Sequence, residues 1–250
     1  MNGKDKVVVV GLGEVGAPLL EVLGRHHDAV GVDVSPVEDI FRADILHICY
    51  PFQISDFVGE TARYIERFKP ELTIINSTVA VGTTRAVAER TGSAVANSPV
   101  RGKHVKMLDD LFIYTKFVGA LNRADGERAA RHFESAGLKT SILSSPEATE
   151  LAKLSETTYF GLMIAWAQEV ERYCDRSSVD YNEVVSIYDE IKFFPPVKYF
   201  PGVIGGHCVM QNIALLTRYQ DSAILRAIQE SNKMKVEREA CANKETAAVA

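Results

Sequence analysis

The sequence is short of most features that mark a secreted, membrane-bound or nucleic-acid-binding protein. It has four cysteines, Cys49, Cys174, Cys208 and Cys241, scattered along 250 residues with no C-x-x-C pair. That scatter argues against a disulfide framework or a zinc ribbon and reads as free thiols in a reducing compartment, the cytoplasm. No apolar run approaches the roughly 18–20 residues that a membrane span needs. The opening MNGKDKVVVVGLG leads straight into a strand pattern and lacks the layout of a signal peptide. Charge of one sign is scarce too: Lys+Arg 28 against Asp+Glu 33 leaves a net -5, without the basic footprint that a phosphate backbone requires, so no nucleic acid is expected. His26, His27, His47 and His132 stand at no metal-ligand spacing, and no metal is expected. Internal repeats and low-complexity tracts are also missing.

What is present is globular. At 46% hydrophobic and 24% charged residues, the chain can bury one large core or two modest ones. Its first part alternates short apolar runs with amphipathic stretches, the pattern of βαβ units around a parallel sheet. Strands are expected at Lys6–Val10, Ala29–Asp33, Asp44–Cys49, Leu72–Asn76, Ser93–Asn97, Lys116–Gly119 and Leu138–Leu143. Helices are expected at Val15–Arg25, about Ser55–Phe68 and Asp125–Ala136, the last closed by Gly137.

After residue 144 the texture changes. Ser145 suits a helix cap, Pro146 a first helical position, and Glu147 and Glu150 the positive first turn. From there to about Ser177 only Gly161 interrupts the helical pattern. Ala152, Tyr159, Met163, Trp166, Val170 and Tyr173 recur as one apolar stripe. Some 30 helical residues span roughly 45 Å, longer than a small domain is wide. The sequence therefore predicts a doubly wound, Rossmann-type domain over 1–144 and an all-helical domain over 145–250, with a homodimer through the 147–176 helix. Further helices are expected at about Asn212–Tyr219 and Ala223–Glu239, followed by a fraying tail.

The first strand and first helix are joined by Gly11-Leu-Gly13-Glu-Val-Gly16. A dinucleotide's pyrophosphate meets backbone N–H groups at such a turn. Gly11 allows the tight turn, Gly13 the approach of the phosphates, and Gly16 close helix–strand packing. Asp33 ends the next strand, 20 residues after Gly13, where a carboxylate takes the ribose hydroxyls. Val34-Ser35-Pro36 offers no Arg or Lys to a 2′-phosphate, which favours NAD over NADP. A second loop, Asn76 to Thr84, carries Ser77 and Thr78 to the carboxyl edge of the sheet, while Thr83 or Thr84 suits a helix cap. The expected cofactor-binding set is Gly11, Gly13, Glu14, Val15, Gly16, Asp33, Tyr50, Ser77 and Thr78.

These motifs, together with Ser98-Pro99, ATELAKL at the opening of the long helix and PGVIGGHC ending at Cys208, resemble the UDP-glucose/GDP-mannose dehydrogenase family. The resemblance runs from about residue 6 to 235. It implies oxidation of a nucleotide-sugar alcohol by NAD, with a cysteine holding the intermediate aldehyde as a thiohemiacetal. By that resemblance Cys208 is the nucleophile, Lys153 stabilises oxyanion charge, and Thr78 lies near the nicotinamide. A thiolate suits the capture of an aldehyde. Gly205 and Gly206 give the chain a sharp turn before Cys208, and His207 stands beside it.

The resemblance also has departures. Thr157 replaces the family's asparagine, Asn212 its aspartate, and Val100 its glutamate. An amide cannot act as a general base at neutral pH, which puts the second hydride step in question. The chain is also expected to lack the third, nucleotide-binding domain. Pro99-Val100-Arg101-Gly102 looks in addition like the substrate loop of β-hydroxyacid dehydrogenases, in which Arg101, Lys103 or His104 would hold a carboxylate and Lys153 would serve as acid and base. Substrate contacts are thus assigned to Arg101, Thr157, His207 and Asn212. A further alternative is an NAD-binding sensor or partner subunit with impaired chemistry. Trp166 and Tyr159 are expected in the core or a dimer contact, and Glu169 and Glu171 as helix-face charges.

Overall fold

Four consecutive valines cannot alternate between core and solvent; a strand made of them needs cover on both faces. Lys6–Val10 (β1) is such a strand. In the computed structural model Val7 and Val9 enter one core and Val8 and Val10 the other. The structure describes residues 4–33, 42–102, 106–192, 199–205 and 208–249. The chain forms two compact units, Met1–Lys153 and Leu154–Ala250.

In the first unit β1 is joined by β2 (Asp28–Val32), β3 (Ile45–Ile48), β4 (Leu72–Ile75), β5 (Val95–Asn97), β6 (Lys116–Ala120) and β7 (Thr140–Ile142). Their spatial order is β2-β1-β3-β4-β5-β6-β7. Helices α1 (Gly16–Gly24), α4 (Met107–Ile113) and α5 (Arg123–Ser135) supply one core, and α2 (Phe57–Phe68) and α3 (Thr83–Thr91) the other. This is the expected doubly wound fold, with one correction to an all-parallel sheet. β5 and β6 run antiparallel, because the 98–115 segment contains α4 and returns the chain to the edge it left. The order reverses between β1 and β3, and the crevice at their carboxyl ends is where open α/β sheets bind ligands.

Side chains set the helix starts. Asp56 accepts from Gly59 N–H at 2.8 Å to open α2, and Asn122 accepts from Asp125 N–H at 2.9 Å to open α5. Helix α6 (Pro146–Ser177) begins in the first unit and continues into the second, with Ser145 Oγ accepting from Ala148 N–H.

The second unit contains the rest of α6 with α7 (Tyr181–Ser186), a 3-10 turn at Ile187–Glu190, α8 (Val209–Tyr219) and α9 (Ala223–Val249). Gly161 does not interrupt α6. A Cβ there would come within 2.7 Å of Val209 Cγ1, so the glycine lets α8 approach closely. Ala165, Val209, Ile213, Leu225 and Ile228 close this core around it. The apolar stripe expected on α6 divides between the interior and the surface. Of its members Val170 is buried and Ala152 exposed, while Tyr159, Trp166 and Tyr173, one heptad apart, are about half exposed at 53%, 50% and 55%.

Candidate cofactor and active site

The turn after β1 shows why three glycines are spaced as they are. Gly11 has φ +88°, and a Cβ on it would lie 2.7 Å from Tyr50 N. A Cβ on Gly16 would lie 1.8 Å from the Gly11 carbonyl oxygen. Gly13 differs, because a Cβ there meets nothing within 4 Å. Gly11 and Gly16 thus shape the turn, and Gly13 keeps its outer face bare at the start of α1, where Glu14 and Val15 complete the turn. Gly11 N–H donates to Val32 O at 2.8 Å, tying the turn to β2. Leu12 N–H donates to Asp33 Oδ2 at 3.3 Å, which places the carboxylate at the mouth of the crevice.

Beside this turn is a cleft of about 300 Å³, lined by Gly11, Asp33, Tyr50, Asp56, Glu60 and Arg63 among others. Three carboxylates face one guanidinium, and Arg63 is already paired with Glu60. Such a lining suits ribose hydroxyls and repels a 2′-phosphate. Asp56 and Glu60 were not singled out in the sequence, since both look like ordinary charges on a helix start. The Tyr50 hydroxyl is engaged 2.6 Å from Thr61 Oγ1, and burial suppresses its acidity.

In the second loop, Ser77 Oγ donates to Tyr50 O at 2.6 Å, so this hydroxyl joins the ends of β3 and β4. Thr78 is half-buried. Neither Thr83 nor Thr84 is the cap. Gly82 occupies that position, and Glu150 of α6 accepts from Gly82 N–H at 2.7 Å and from Thr84 N–H at 2.9 Å. Glu147 pairs with Arg85 at 2.7 Å. The acids that open α6 therefore also serve the positive end of α3. Burial raises the Glu150 pKa, whereas the Arg85 hydrogen bond lowers that of Glu147.

Lys153 is half-buried at the end of the first unit. Arg101 is half-buried, with its guanidinium 5.3 Å from the Tyr114 ring and 5.7 Å from that of Phe117. Val100 belongs to the core, which accounts for an apolar residue there. Lys103, His104 and His207 lie outside the described residues, as do Val34-Ser35-Pro36 and Gly206.

In the second unit Cys208 is exposed and precedes the first turn of α8. Asn212 and Thr157, the two departures on these helices, meet: Asn212 Nδ2 donates to Thr157 Oγ1 at 2.8 Å. The loop ahead of Cys208 is pinned by residues that sequence reasoning missed. Asn232 accepts from Ile204 N–H at 2.7 Å and donates to Ile204 O at 3.3 Å, while Gln168 donates to Gly202 O at 2.8 Å. Both amides lie on helices far from the loop in sequence and carry no motif. Glu169 pairs with Arg172, and Glu171 with the buried Lys235 at 2.7 Å.

A buried polar chain that no motif announces runs behind the sheet. Lys116 Nζ donates to Ser98 O at 2.7 Å and to Asn76 Oδ1 at 3.1 Å. Asn76 Nδ2 lies 3.1 Å from His47 Nδ1, His47 Nε2 lies 3.0 Å from His132 Nε2, and His132 Nδ1 lies 3.3 Å from Asp5 Oδ2. With Lys116 charged, every donor in this chain points toward Asp5. Burial lowers the Lys116 pKa to about 7 and holds His47 well below the usual histidine range. The hydrogen bond to His132 lowers the Asp5 pKa.

Residues 147–234 match the model of the UDP-glucose/GDP-mannose dehydrogenase family, central domain. A UDP-N-acetyl-D-mannosamine dehydrogenase of Methanococcus vannielii is 24% identical over 279 residues, which cover 91% of this chain and 65% of that protein. The chain thus spans just under two thirds of such a relative. The solved UDP-D-ManNAc dehydrogenase of Pyrococcus horikoshii shares the fold, with a TM-score of 0.83 at 20% identity over 96% of this chain and 71% of that one. The fold of a Mycobacterium tuberculosis 3-hydroxyisobutyrate dehydrogenase also matches, with a TM-score of 0.71 at 17% identity over 95% of this chain and 94% of that one. Over residues 147–234 the chain is thus similar to the central domain of the UDP-glucose/GDP-mannose dehydrogenases.

Proposed function

We propose that the protein is an NAD-dependent oxidoreductase acting on an alcohol carbon of a nucleotide sugar or a sugar-like substrate. The observation that carries this reading is the Gly11–Gly16 turn, bare at Gly13 and flanked by the Asp33 carboxylate. Gly13, Glu14 and Val15 would present backbone to the pyrophosphate. Asp33 would take the adenosine ribose hydroxyls, with Tyr50, Ser77 and Thr78 along the rest of the crevice. When bound, NAD supplies the acceptor for the hydride.

The protein's own residues do the remainder. Lys153 stabilises negative charge on the substrate oxygen as the alcohol loses its proton. Cys208, ahead of α8, adds its sulfur to the aldehyde carbon as the thiol proton passes to the carbonyl oxygen, and the thiohemiacetal reverts to release the aldehyde. Position 212 carries an amide that is bonded to Thr157, so it has no carboxylate to activate water. We therefore expect one NADH per substrate, with the aldehyde as product. A second reading, oxidation of a short hydroxy acid, draws on Arg101, whose guanidinium is held over two rings. The homodimer through α6 draws on its exposed aromatic residues, and a reducing, cytoplasmic setting on the four free thiols.

The test is NADH formation across UDP-sugars, simple sugars and short β-hydroxy acids, with Cys208→Ser and Lys153→Ala as controls. Turnover on a sugar that falls about 100-fold or more in Lys153→Ala and is lost in Cys208→Ser supports the assignment. Turnover on a hydroxy acid that needs Arg101 and ignores Cys208 selects the second reading. NAD binding with no turnover at all would mean a sensor or partner subunit.

A further inference from the structure

Three side chains far apart in sequence meet where β1 and β2 begin, at the end of the sheet away from the glycine turn. They are Asp5, His27 and His132, and one donor atom from each lies within 4.8 Å of the others. Both imidazoles turn the same nitrogen toward the carboxylate. His132 Nδ1 is 3.3 Å and His27 Nδ1 is 3.7 Å from Asp5 Oδ2. Ligand atoms around a tetrahedral ion with bonds of about 2.0–2.1 Å stand roughly 3.3–3.4 Å apart; the His132–Asp5 spacing matches this, and binding would draw in His27, which is 3.7 Å from the same oxygen within a triad spanning up to 4.8 Å.

The far nitrogens are already engaged. His27 Nε2 is 2.9 Å from Ser135 Oγ, which itself donates to His132 O. His132 Nε2 is 3.0 Å from His47 Nε2. Metal-bound imidazoles are held in this way, with a partner on the nitrogen that does not ligate. His27 is only 8% exposed, and its Nδ1 has no hydrogen-bond partner among the described residues. A bare lone pair that deep, aimed at a carboxylate oxygen, costs free energy unless a cation or proton lies between them. The Asp5 side chain is 40% exposed and gives an ion a way in from solvent.

We propose that Asp5 Oδ2, His27 Nδ1 and His132 Nδ1 form a binding site for a first-row divalent cation of the zinc type, with water in the fourth position. Two imidazoles and one carboxylate are a nitrogen–oxygen set suited to such an ion. With the ion bound, His132 carries its proton on Nε2 and donates to His47 Nε2; His47 then holds its proton on Nδ1, which requires the Asn76 amide to turn its oxygen toward it and give up its present contacts with Ile74 O and Lys116. The ion ties the start of β1, the start of β2 and α5 together, so its role is structural. This site does not rest on the dehydrogenase reading.

The experiment uses the full chain, treated with chelator and titrated with Co²⁺ and separately with Zn²⁺. We expect one Co²⁺ per chain with visible d–d bands of low coordination number. Zn²⁺ at a hundredfold excess over its Kd should raise the thermal midpoint by about 5–10 °C. His27→Gln and Asp5→Asn should weaken binding by more than about 100-fold, beyond the loss typical of an outer-shell change. Both positions lie at the end of the sheet, and circular dichroism establishes that the variants fold. Two results overturn the site: neither a cobalt spectrum nor a zinc-dependent shift in the parent chain, or an ion that survives His27→Gln and is lost with Cys208→Ser.

Discussion

The two units place their large aromatic side chains differently. In the sheet unit Phe68 and Phe133 are fully buried and both faces of the sheet are closed by helices. In the helical unit Gly161 and Ala165 make the internal packing, while Tyr159, Trp166 and Tyr173 face outward. The sheet unit also leaves some apolar bulk outside, Phe112, Ile113 and Tyr114 toward the end of α4 with Leu121 and Ile142. The helical unit has a tight interior and an apolar exterior, the distribution expected where a second surface is to be covered. Polar groups divide along the same line. Behind the sheet they form one chain from Lys116 to Asp5, whereas in the helical unit they pin the loop that leads to Cys208.

The largest effect should come from the glycine turn. In Gly16→Ala the new Cβ would stand 1.8 Å from a backbone oxygen, which cannot move without opening the turn. Denaturant unfolding should show a loss of about 3 kcal/mol, the upper end of ordinary overpacking, together with loss of NAD binding. Gly13→Ala has open space and should stay within about 0.5 kcal/mol of the parent while still weakening NAD. If both variants bound NAD as the parent does, the turn would not be the cofactor site.

Next in size is a pH dependence confined to the sheet unit. Lys116 titrates near 10.5 when unfolded, and burial brings it down to about 7 in the fold. Between those values the unfolded chain binds more protons, so stability rises with pH, by at most about 1.4 kcal/mol per unit. Below about pH 7 the penalty is fully present. Cys49 opposes this at higher pH: burial lifts its thiol from 9.0 to about 12, so above pH 9 it costs stability as pH rises. The clean window is pH 7 to 9, with a gain of roughly 2 kcal/mol in urea-derived stability. Lys116→Met should flatten that slope.

The fold was largely legible because its signals are local. The valine run, the glycine spacing and Asp33 each declare themselves within a few residues, and so does the long helix after Ser145. What escaped depends on contacts that no window spans. Nothing near Lys116 announces that Asn76 and Ser98 will receive it, and His27 meets His132 only once α5 is docked. Which way the α6 stripe turns was not legible for a related reason. Periodicity finds a helix face but cannot tell which of two apolar faces turns inward. Thr157 and Asn212 looked like two separate departures from the family pattern, and the fold joins them in one hydrogen bond.

A smaller effect tests the helical unit's polar pins. Asn232→Ala leaves Ile204 N–H buried without its acceptor, a cost of about 1–2 kcal/mol. If the loop positions Cys208, turnover should fall more than this stability loss explains, and limited proteolysis should cut first between residues 199 and 208. Unchanged turnover would separate the loop from the chemistry.

The smallest change in protomer stability should come with the clearest change in assembly. Trp166 is half exposed within its own chain, so Trp166→Ser removes little internal packing. The isolated protomer should stay within about 0.5 kcal/mol of the parent. If the outward aromatic residues of α6 are an interface, the same substitution deletes a central anchor of the kind that dominates such contacts. Sedimentation equilibrium should then show a dimer becoming a monomer, with Tyr173→Ser weaker in the same direction. A parent chain that is monomeric at every concentration would remove the dimer. The outward face of α6 would then be open to a different partner, and the contrast between the units would rest on those outward aromatic residues alone.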